Sequence, residues 1–331
     1  MLVLKRVLSG MRPTGKLHLG HLVGALKNWV DFQDKYSCYY CIVDWHAMMS
    51  EYADPSKLKE YIVEMALDWY AVGIDFSKST VFIQSEVPEH AELHLALSMI
   101  TPVSWLERNP TYKEQMREIK NKDLSTYAFL GYPVLQAADI LIYNAHYVPV
   151  GEDQAPHLEL TREIARRFNY FYGEVFVIPE MILTPVPKIL GTDGRKMSKS
   201  YNNYIGLTED PGSVEEKVLT MMTDTRRMRR SDPGVPEDCP VFYLHKAFND
   251  SVSELEEVYK GCRTALIGCI DCKKVLLKHL LPTLEPFRNR RNEYENKRDE
   301  IVEMLHEGAK KAREFASGMI HKVKEAMKIA W

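Results

Sequence analysis

The first two hundred residues alternate short apolar, β-branched runs with longer amphipathic ones, which restricts this part of the chain to an α/β architecture around a parallel sheet. Strands are expected at Leu2 to Leu8, Cys38 to Asp44, Thr80 to Gln84, Tyr147 to Val150 and Val175 to Ile178. Several are apolar on both faces, as a strand covered by helices on either side must be. From His18 to Tyr36, the residues Leu19, Leu22, Val23, Leu26 and Trp29/Val30 share one helical face, forming the first crossover of a right-handed strand-helix-strand unit. Asp54-Pro55 reads as an N-cap with proline at the first helical position. Leu58, Ile62, Met65, Ala66 and Trp69 then recur at helical spacing, and Gly73 ends the run.

The pattern changes after about Gly191. A charged, glycine-containing loop, Gly191-Thr192-Asp193-Gly194-Arg195, leads into helical runs without convincing strands. The expected division is an α/β domain over 1–190 and a helical domain over 191–331, which suits a chain of 331 residues. The helical part ends in Ile301, Leu305, Ala312, Phe315/Ala316, Met319, Val323 and Ala326/Met327, a long amphipathic helix with a solvated outer face. No apolar stretch approaches the ~18 residues needed to span a bilayer. The charged Lys5-Arg6 falls where a signal peptide needs its apolar centre, so a cytoplasmic location is expected. Lys plus Arg total 43 against 46 Asp plus Glu, a net charge of −3, so any RNA contact must be a local patch.

Two short segments carry chemistry. The strand ending at Leu8 runs through Ser9-Gly10-Met11-Arg12-Pro13-Thr14-Gly15 into a helix opening His18-Leu19-Gly20-His21. Its two imidazoles share a helix face near the N-terminus, where free N–H groups and the dipole favour phosphate, and Gly20 leaves room for a flat base. At the domain junction lies Lys196-Met197-Ser198-Lys199-Ser200, two lysines among small polar residues, suited to closing over a polyphosphate as charge develops on it. Four of the six cysteines stand in the helical part at Cys239, Cys262, Cys269 and Cys272, a C-x22-C-x6-C-x2-C spacing that can complete four-coordination of an ion or cluster. Cys38 and Cys41 lie three apart on a strand, pointing to opposite faces, and read as core thiols.

The pair His18-Leu19-Gly20-His21 and Lys196 to Ser200 resembles the HIGH and KMSKS signatures of class I aminoacyl-tRNA synthetases. The segments Ser9 to His21, Cys41 to Asp44, Gly131 to Tyr143, Val148 to Gln154 and His157 to Asn169 are similar to the bacterial tryptophanyl enzymes of that family. The resemblance implies a Rossmann-like catalytic domain that activates tryptophan with ATP and Mg2+ to an aminoacyl-adenylate, then esterifies a hydroxyl of the terminal adenosine of tRNA. It implies a nucleotide site formed by Arg12, Pro13, Thr14, Gly20 and His21, with Gly151, Glu152 and Asp153 on the ribose and adenine side and Ile189 near the base. His18, His21, Lys196 and Lys199 would act in catalysis, with Lys196, Met197, Ser198, Lys199 and Ser200 around the phosphates. Asp139 would accept from the indole N–H, and Leu8, Gly10, His46, Tyr132, Gln136 and Gln154 would line the amino-acid pocket.

A tyrosyl-tRNA synthetase is the nearest alternative, because Tyr132-x-x-x-Gln136-x-x-Asp139 also resembles its pocket. An apolar Leu8 in place of a tyrosine favours the broad indole over a phenol. Gln136 departs from the methionine of many tryptophan enzymes. The run Gly261-Cys262-Arg263 with Gly268 to Lys274 resembles the subset carrying a [4Fe-4S] cluster, while four thiolates also suit Zn2+. The clusters Arg226-Arg227-Met228-Arg229-Arg230, Arg288/Arg290/Arg291 and Lys273-Lys274 are candidates for the tRNA backbone. The resemblance further implies a homodimer with tRNA spanning both subunits. A catalytically inactive nucleotide- or RNA-binding paralogue is the non-enzymatic alternative, and the intact signatures disfavour it.

Overall fold

The computed structural model describes residues 4–110, 112–113, 124–151, 154–183 and 189–330. Its five-stranded sheet has the order β3-β2-β1-β4-β5, every neighbouring pair parallel. The strands are β1 (Arg6–Met11), β2 (Ser37–Ile42), β3 (Thr80–Ile83), β4 (Tyr147–Val150) and β5 (Glu180–Leu183). The chain moves outward from β1 to β2 and β3, then returns to place β4 on the other side of β1. This reversal opens a crevice at the C-terminal ends of β1 and β4, where ligands of such sheets bind.

Period-two alternation sorts the side chains into two cores. Val7, Cys38, Tyr40 and Ile42 face one layer, and Leu8, Tyr39, Cys41 and Phe82 face the other. Cys38 and Cys41 therefore lie on opposite faces, both as free thiols. The first layer contains the rod of residues 19–32, built of α1 (Leu19–His21), a π-helical turn (Leu22–Leu26) and α2 (Lys27–Phe32), together with α4 (Leu58–Val72). The second contains α5 (Glu89–Ser98), α7 (Tyr127–Leu141) and α8 (Ala155–Tyr172), with α3 (Asp44–Glu51) and α6 (Val103–Glu107) packed against α7.

Beyond Gly191 come α9 (Pro211–Thr220), α10 (Pro240–Phe248), α11 (Val252–Arg263), α12 (Cys269–Glu295) and α13 (Arg298–Ala326). The core continues across this point, since α12 packs on α4 and α13 lies against the edge strand β3 and α5. Covering an edge with a helix removes a site for unwanted strand pairing.

Two local expectations are corrected. Val175 to Ile178 is not a strand, because its backbone bonds go to side chains. Asn169 Oδ1 accepts from the amides of Val175 (3.1 Å) and Phe176 (3.0 Å), and Asn144 Oδ1 accepts from Val177 (2.6 Å). The ladder resumes only at Glu180. Asp54 does not cap α4; it closes a preceding turn by accepting from the Ser56 amide, and the helix begins at Leu58. Gly73 ends that helix in the left-handed conformation, φ 106°.

Candidate active site and four-cysteine cavity

A cavity of about 470 Å³ opens at the reversal point of the sheet. Leu8 to Arg12 from the end of β1 and Val148 to Gly151 from β4 form two sides. Gly24, Ala25 and Asn28 reach it from the π-helical turn and the start of α2, and such turns are frequent at functional sites. His46 enters from α3. On α7, capped by Thr126 accepting from the Phe129 amide, Tyr132, Gln136 and Asp139 fall at i, i+4 and i+7 and face the cavity together. Gln154 and His157 complete the rim.

Asp139 is buried and saturated on one side. Its Oδ1 accepts from Gln84 Nε2 and His90 Nδ1, each 2.6 Å, and its Oδ2 accepts from His46 Nε2 at 2.8 Å. Burial alone would raise its pKa, but the histidine hydrogen bonds outweigh it and hold the carboxyl at about 2. Tyr132 meets His157 Nε2 through its hydroxyl at 3.1 Å, and Asn109 holds the other ring nitrogen at 3.1 Å. Arg12, the one Lys or Arg among the described residues lining the cavity, is held from behind by Ser50 Oγ (2.5 Å) and by Glu51 at 3.9 Å.

The H-x-G-H segment is a reciprocal helix cap. His18 Nδ1 accepts from the Gly20 amide (3.1 Å), and His21 Nδ1 accepts from the His18 amide (3.2 Å). Burial pushes His18 down to about 4 and His21 well below its usual range, with Lys199 adding repulsion, so both rings are neutral at pH 7. With Nδ1 accepting, each proton sits on Nε2. The spacing thus yields two oriented N–H donors beside a helix N-terminus. A β-carbon at Gly20 would stand 2.9 Å from His18 Cε1, so the room at Gly20 is taken by the capping ring.

The lysine loop folds back onto this cap. Leu190 and Lys196 pair across a tight turn, and the Leu19 amide bonds Ile205 O at 3.0 Å beyond it. Asn203 ties the loop together: it accepts from the Ser198 amide (2.7 Å) and donates to Asp193 (2.7 Å) and to Lys196 O (3.1 Å). Met197 and Ile189 are buried in the core, whereas Lys196 and Ser200 are exposed. Lys199 Nζ donates to Thr14 O (2.6 Å), Thr14 Oγ1 (3.1 Å) and Gly15 O (3.1 Å), bridging the loop to the turn after β1. Burial draws its pKa down to about 8, opposed by the charge of Asp68.

Of the residues singled out in the sequence, Leu8, Gly10, Arg12, His46, Tyr132, Gln136, Asp139, Gly151 and Gln154 therefore share one cavity. Pro13, Thr14, His18, Gly20, His21 and the lysine loop lie outside its lining, on the segment that leads from it. Glu152 and Asp153 are outside the described residues. Gln84, His90, Tyr143 and Asn203 were not singled out. Only Gln84 carried a signal, a polar residue at the C-terminal end of an apolar strand.

Cys239, Cys262, Cys269 and Cys272 converge on a second, small cavity with Thr223, Asp224, Arg227, Val241 and Ile267. They come from the N-cap of α10, the last turn of α11 and the first turn of α12. Gly234 makes room for Cys262, since a β-carbon there would stand 2.6 Å from its sulfur. Burial and the neighbouring thiols push Cys272 up to about 12. Among the described residues, no three His, Cys, Asp or Glu side chains sit close enough to share a single metal ion.

Several basic residues are engaged within the protein. Lys273 is buried and donates to Leu219 O (2.8 Å) and Met221 O (2.5 Å). Arg291 is buried against Glu64 and, at 2.6 Å, Asp68. Arg227 donates to Ile267 O (2.7 Å) and Arg290 to Ala71 O (2.5 Å). Arg229, Arg230 and Lys274 remain exposed.

Residues 4–285 match the family of class I tRNA synthetases for W and Y. The chain is 56% identical to the tryptophan--tRNA ligase of Thermotoga maritima, over 98% of this chain and 99% of that protein. It is 44% identical to the Aquifex aeolicus tryptophan--tRNA ligase, over 98% and 100%. The structure superposes on the tryptophanyl-tRNA synthetase of Campylobacter jejuni, solved with ADP and tryptophan, with a TM-score of 0.86 at 35% identity, covering 98% and 99% of the two chains. A tyrosyl enzyme from Archaeoglobus fulgidus shares the fold at 23% identity and a TM-score of 0.68. The ligand pocket at the reversal of a parallel sheet, the capped histidine pair and the lysine loop folded onto it thus accompany full-length similarity, and the chain belongs to the class I tRNA synthetases, among the tryptophanyl enzymes.

Proposed function

We propose that the protein joins L-tryptophan to tRNA(Trp), first forming tryptophanyl-adenylate and pyrophosphate from tryptophan and ATP. The observation that carries the reading is a buried, ionised Asp139 at the wall of the cavity, with an acceptor position left over among the described contacts. A carboxylate offers about four acceptor sites; among the described residues three are filled, and an indole N–H suits the fourth. Leu8 and Gly10 flank the ring, while Tyr132, Gln136, Gln154 and His46 hold the ammonium and carboxylate.

The tryptophan carboxylate attacks the α-phosphorus in line, pyrophosphate leaves, and the protein positions the groups and offsets charge. Arg12 faces the carboxylate and the α-phosphoryl oxygens. His18 and His21 offer neutral Nε2–H donors, Pro13, Thr14 and Gly20 shape the wall, and Gly151, Glu152 and Asp153 with Ile189 take the ribose and base. Lys196 and Lys199, with the backbone and hydroxyls of Met197, Ser198 and Ser200, close on the departing phosphates. Mg2+ enters with ATP. A hydroxyl of the terminal tRNA adenosine then attacks the adenylate carbonyl and AMP leaves.

Residues 1–190 would carry this chemistry and 191–331 the lysine loop and the anticodon-facing surface, with Arg229, Arg230 and Lys274 against the backbone. The four cysteines around one cavity fit a group that takes four thiolates, and a [4Fe-4S] cluster held by Cys239, Cys262, Cys269 and Cys272 would brace α10, α11 and α12. The protein would act in the cytoplasm as a homodimer. Exposed Leu95, Met99, Val103 and Tyr127 give an apolar face for the second copy. Among the described residues no helix is long and apolar enough to cross a membrane.

Pyrophosphate exchange and tRNA charging with tryptophan and tyrosine side by side test the activity, and charging with tyrosine alone would overturn it. Lys199→Ala should lose about 10²- to 10³-fold of exchange, as removal of one charge-stabilising donor does. Brown protein whose visible absorption bleaches on reduction supports the cluster, whereas colourless protein with stoichiometric zinc refutes it.

A further inference from the structure

Asp139 does not stand alone at the cavity wall. Gln84, in the turn after β3, and His90, in the first turn of α5, both donate to its Oδ1, and both are buried, with relative exposures of 1% and 2%. An ionised carboxylate only accepts, so His90 carries its proton on Nδ1. Its other nitrogen, Nε2, meets the hydroxyl of Tyr143 at 2.7 Å. Tyr143 is immobilised in turn, stacked on Tyr39 with centroids 4.5 Å apart and edge-on to Phe82. On the cavity side, Oδ2 accepts from His46 alone among the described contacts.

We propose that Gln84 and His90, the latter oriented by Tyr143, are positioning residues for amino-acid selection: they fill the inner oxygen of Asp139 and turn its remaining lone pair, on Oδ2, toward the indole N–H. The proposal rests on Asp139 as the indole acceptor. Two donors on one oxygen fix the carboxylate plane, so the indole meets an acceptor of set direction with no rotation to freeze on binding. Among the described residues Gln84 Oε1 has no hydrogen-bond partner, and the side chain's one hydrogen bond is its donation to Asp139.

Removing the donors also exposes the carboxyl to its burial. The titratable groups facing it are His46 from α3, Cys41 from β2, His90 and His94 from α5, and Tyr143 after α7; Asp44 lies within range of Cys41 and Glu89 within range of Tyr143. With fewer donors, desolvation favours the protonated acid, whose hydrogen occupies an acceptor position the indole needs.

The test compares kcat/KM for tryptophan and for its analogue with sulfur in place of the indole N–H, in full-length protein, by pyrophosphate exchange from pH 6 to 9. Gln84→Met and His90→Leu should each reduce the preference for tryptophan by roughly ten-fold, through KM, as loss of a hydrogen bond to a charged group does. They should gain an acid limb below pH 7 that the wild type lacks and leave the KM for ATP unchanged. His90→Asn, which keeps a donor near the Nδ1 position, should retain most of the preference. If His90→Leu does not fold, Gln84→Met carries the test. Equal losses for both substrates with no new acid limb would overturn the proposal. Asp139→Ala, which removes both acceptor oxygens, separates the levels. If it leaves the preference intact, the indole-acceptor reading fails. If it removes the preference while Gln84→Met and His90→Leu keep theirs, only the positioning role fails.

Discussion

Gly308 is where the last helix touches the sheet most closely. α13 lies on β3, and a β-carbon built at Gly308 would stand 1.8 Å from Val81 O and 2.8 Å from Val81 C. Both atoms are backbone of a strand paired along its length with β2, so neither can swing aside. Ordinary carbon–oxygen contact begins near 3.3 Å, so Gly308→Ala must push α13 back by about 1.5 Å. That separation forfeits much of the contact energy of the facing side chains, among them Leu305, Ala309 and Ala312, all buried. Overpacking of this kind costs about 1–3 kcal/mol, and the helix gains back up to about 1 kcal/mol from alanine propensity. Because backbone meets backbone here, the cost lies at the upper end and the expected net loss is about 2 kcal/mol, or roughly 4–8 °C in Tm. Gly318 supplies the internal control: it lies in the same helix, and a β-carbon there meets nothing within 4 Å. Gly318→Ala should hold or raise the melting temperature. Calorimetric or circular-dichroism melts of both variants check the pair. If Gly308→Ala melts at or above Gly318→Ala, the close approach of α13 to β3 is wrong.

Lys199 is charged below about pH 8 and neutral above, so pyrophosphate binding, measured by calorimetry, should weaken as the pH rises through 8. Lys199→Arg should remove that limb, because a guanidinium stays charged. The low pKa of Asp139 contributes stability that is present above about pH 4 and lost as the pH falls toward 2, on the order of 2 kcal/mol; Asp139→Asn should flatten this part of a urea-unfolding profile against pH. Arg291→Met leaves Glu64 and Asp68 buried without their shared partner and should cost about 3–5 kcal/mol in denaturant unfolding, and an unchanged midpoint would refute the buried pair. Cys269→Ser should abolish any visible absorption of the purified protein while its tryptophan KM stays near wild type, because the cysteine cavity and the cavity at the sheet reversal share no lining residue among the described ones.

What could be read from the sequence was what is contiguous. The strands of Tyr147 to Val150 and Thr80 to Gln84 and the terminal helix show their period directly, and the two signature segments carry their chemistry within a few residues. The Val175 to Ile178 run misleads because apolarity marks burial and not pairing: Phe176 is buried, but Asn169 and Asn144 take the backbone bonds a strand would need. The support of Asp139 was illegible for a different reason. Gln84 and His90 lie 55 and 49 residues away along the chain, and only the packing of α5 against α7 and the end of β3 brings them to one carboxylate.

Charge was the least legible property, because a sequence does not say which basic residues are buried. Arg290 and Arg291 read as a surface patch, yet Arg291 is 3% exposed and bonds Asp68 at 2.6 Å. The other oxygen of Asp68 accepts from the Leu17 amide, also at 2.6 Å, one residue before the His18 cap. An arginine near the end of α12 thereby fixes the backbone that orients both signature imidazoles, and the same helix opens with two of the four cysteines. The helical part of the chain is thus built into the support of the histidine cap, and charge removed at Arg291 should lower exchange activity along with stability.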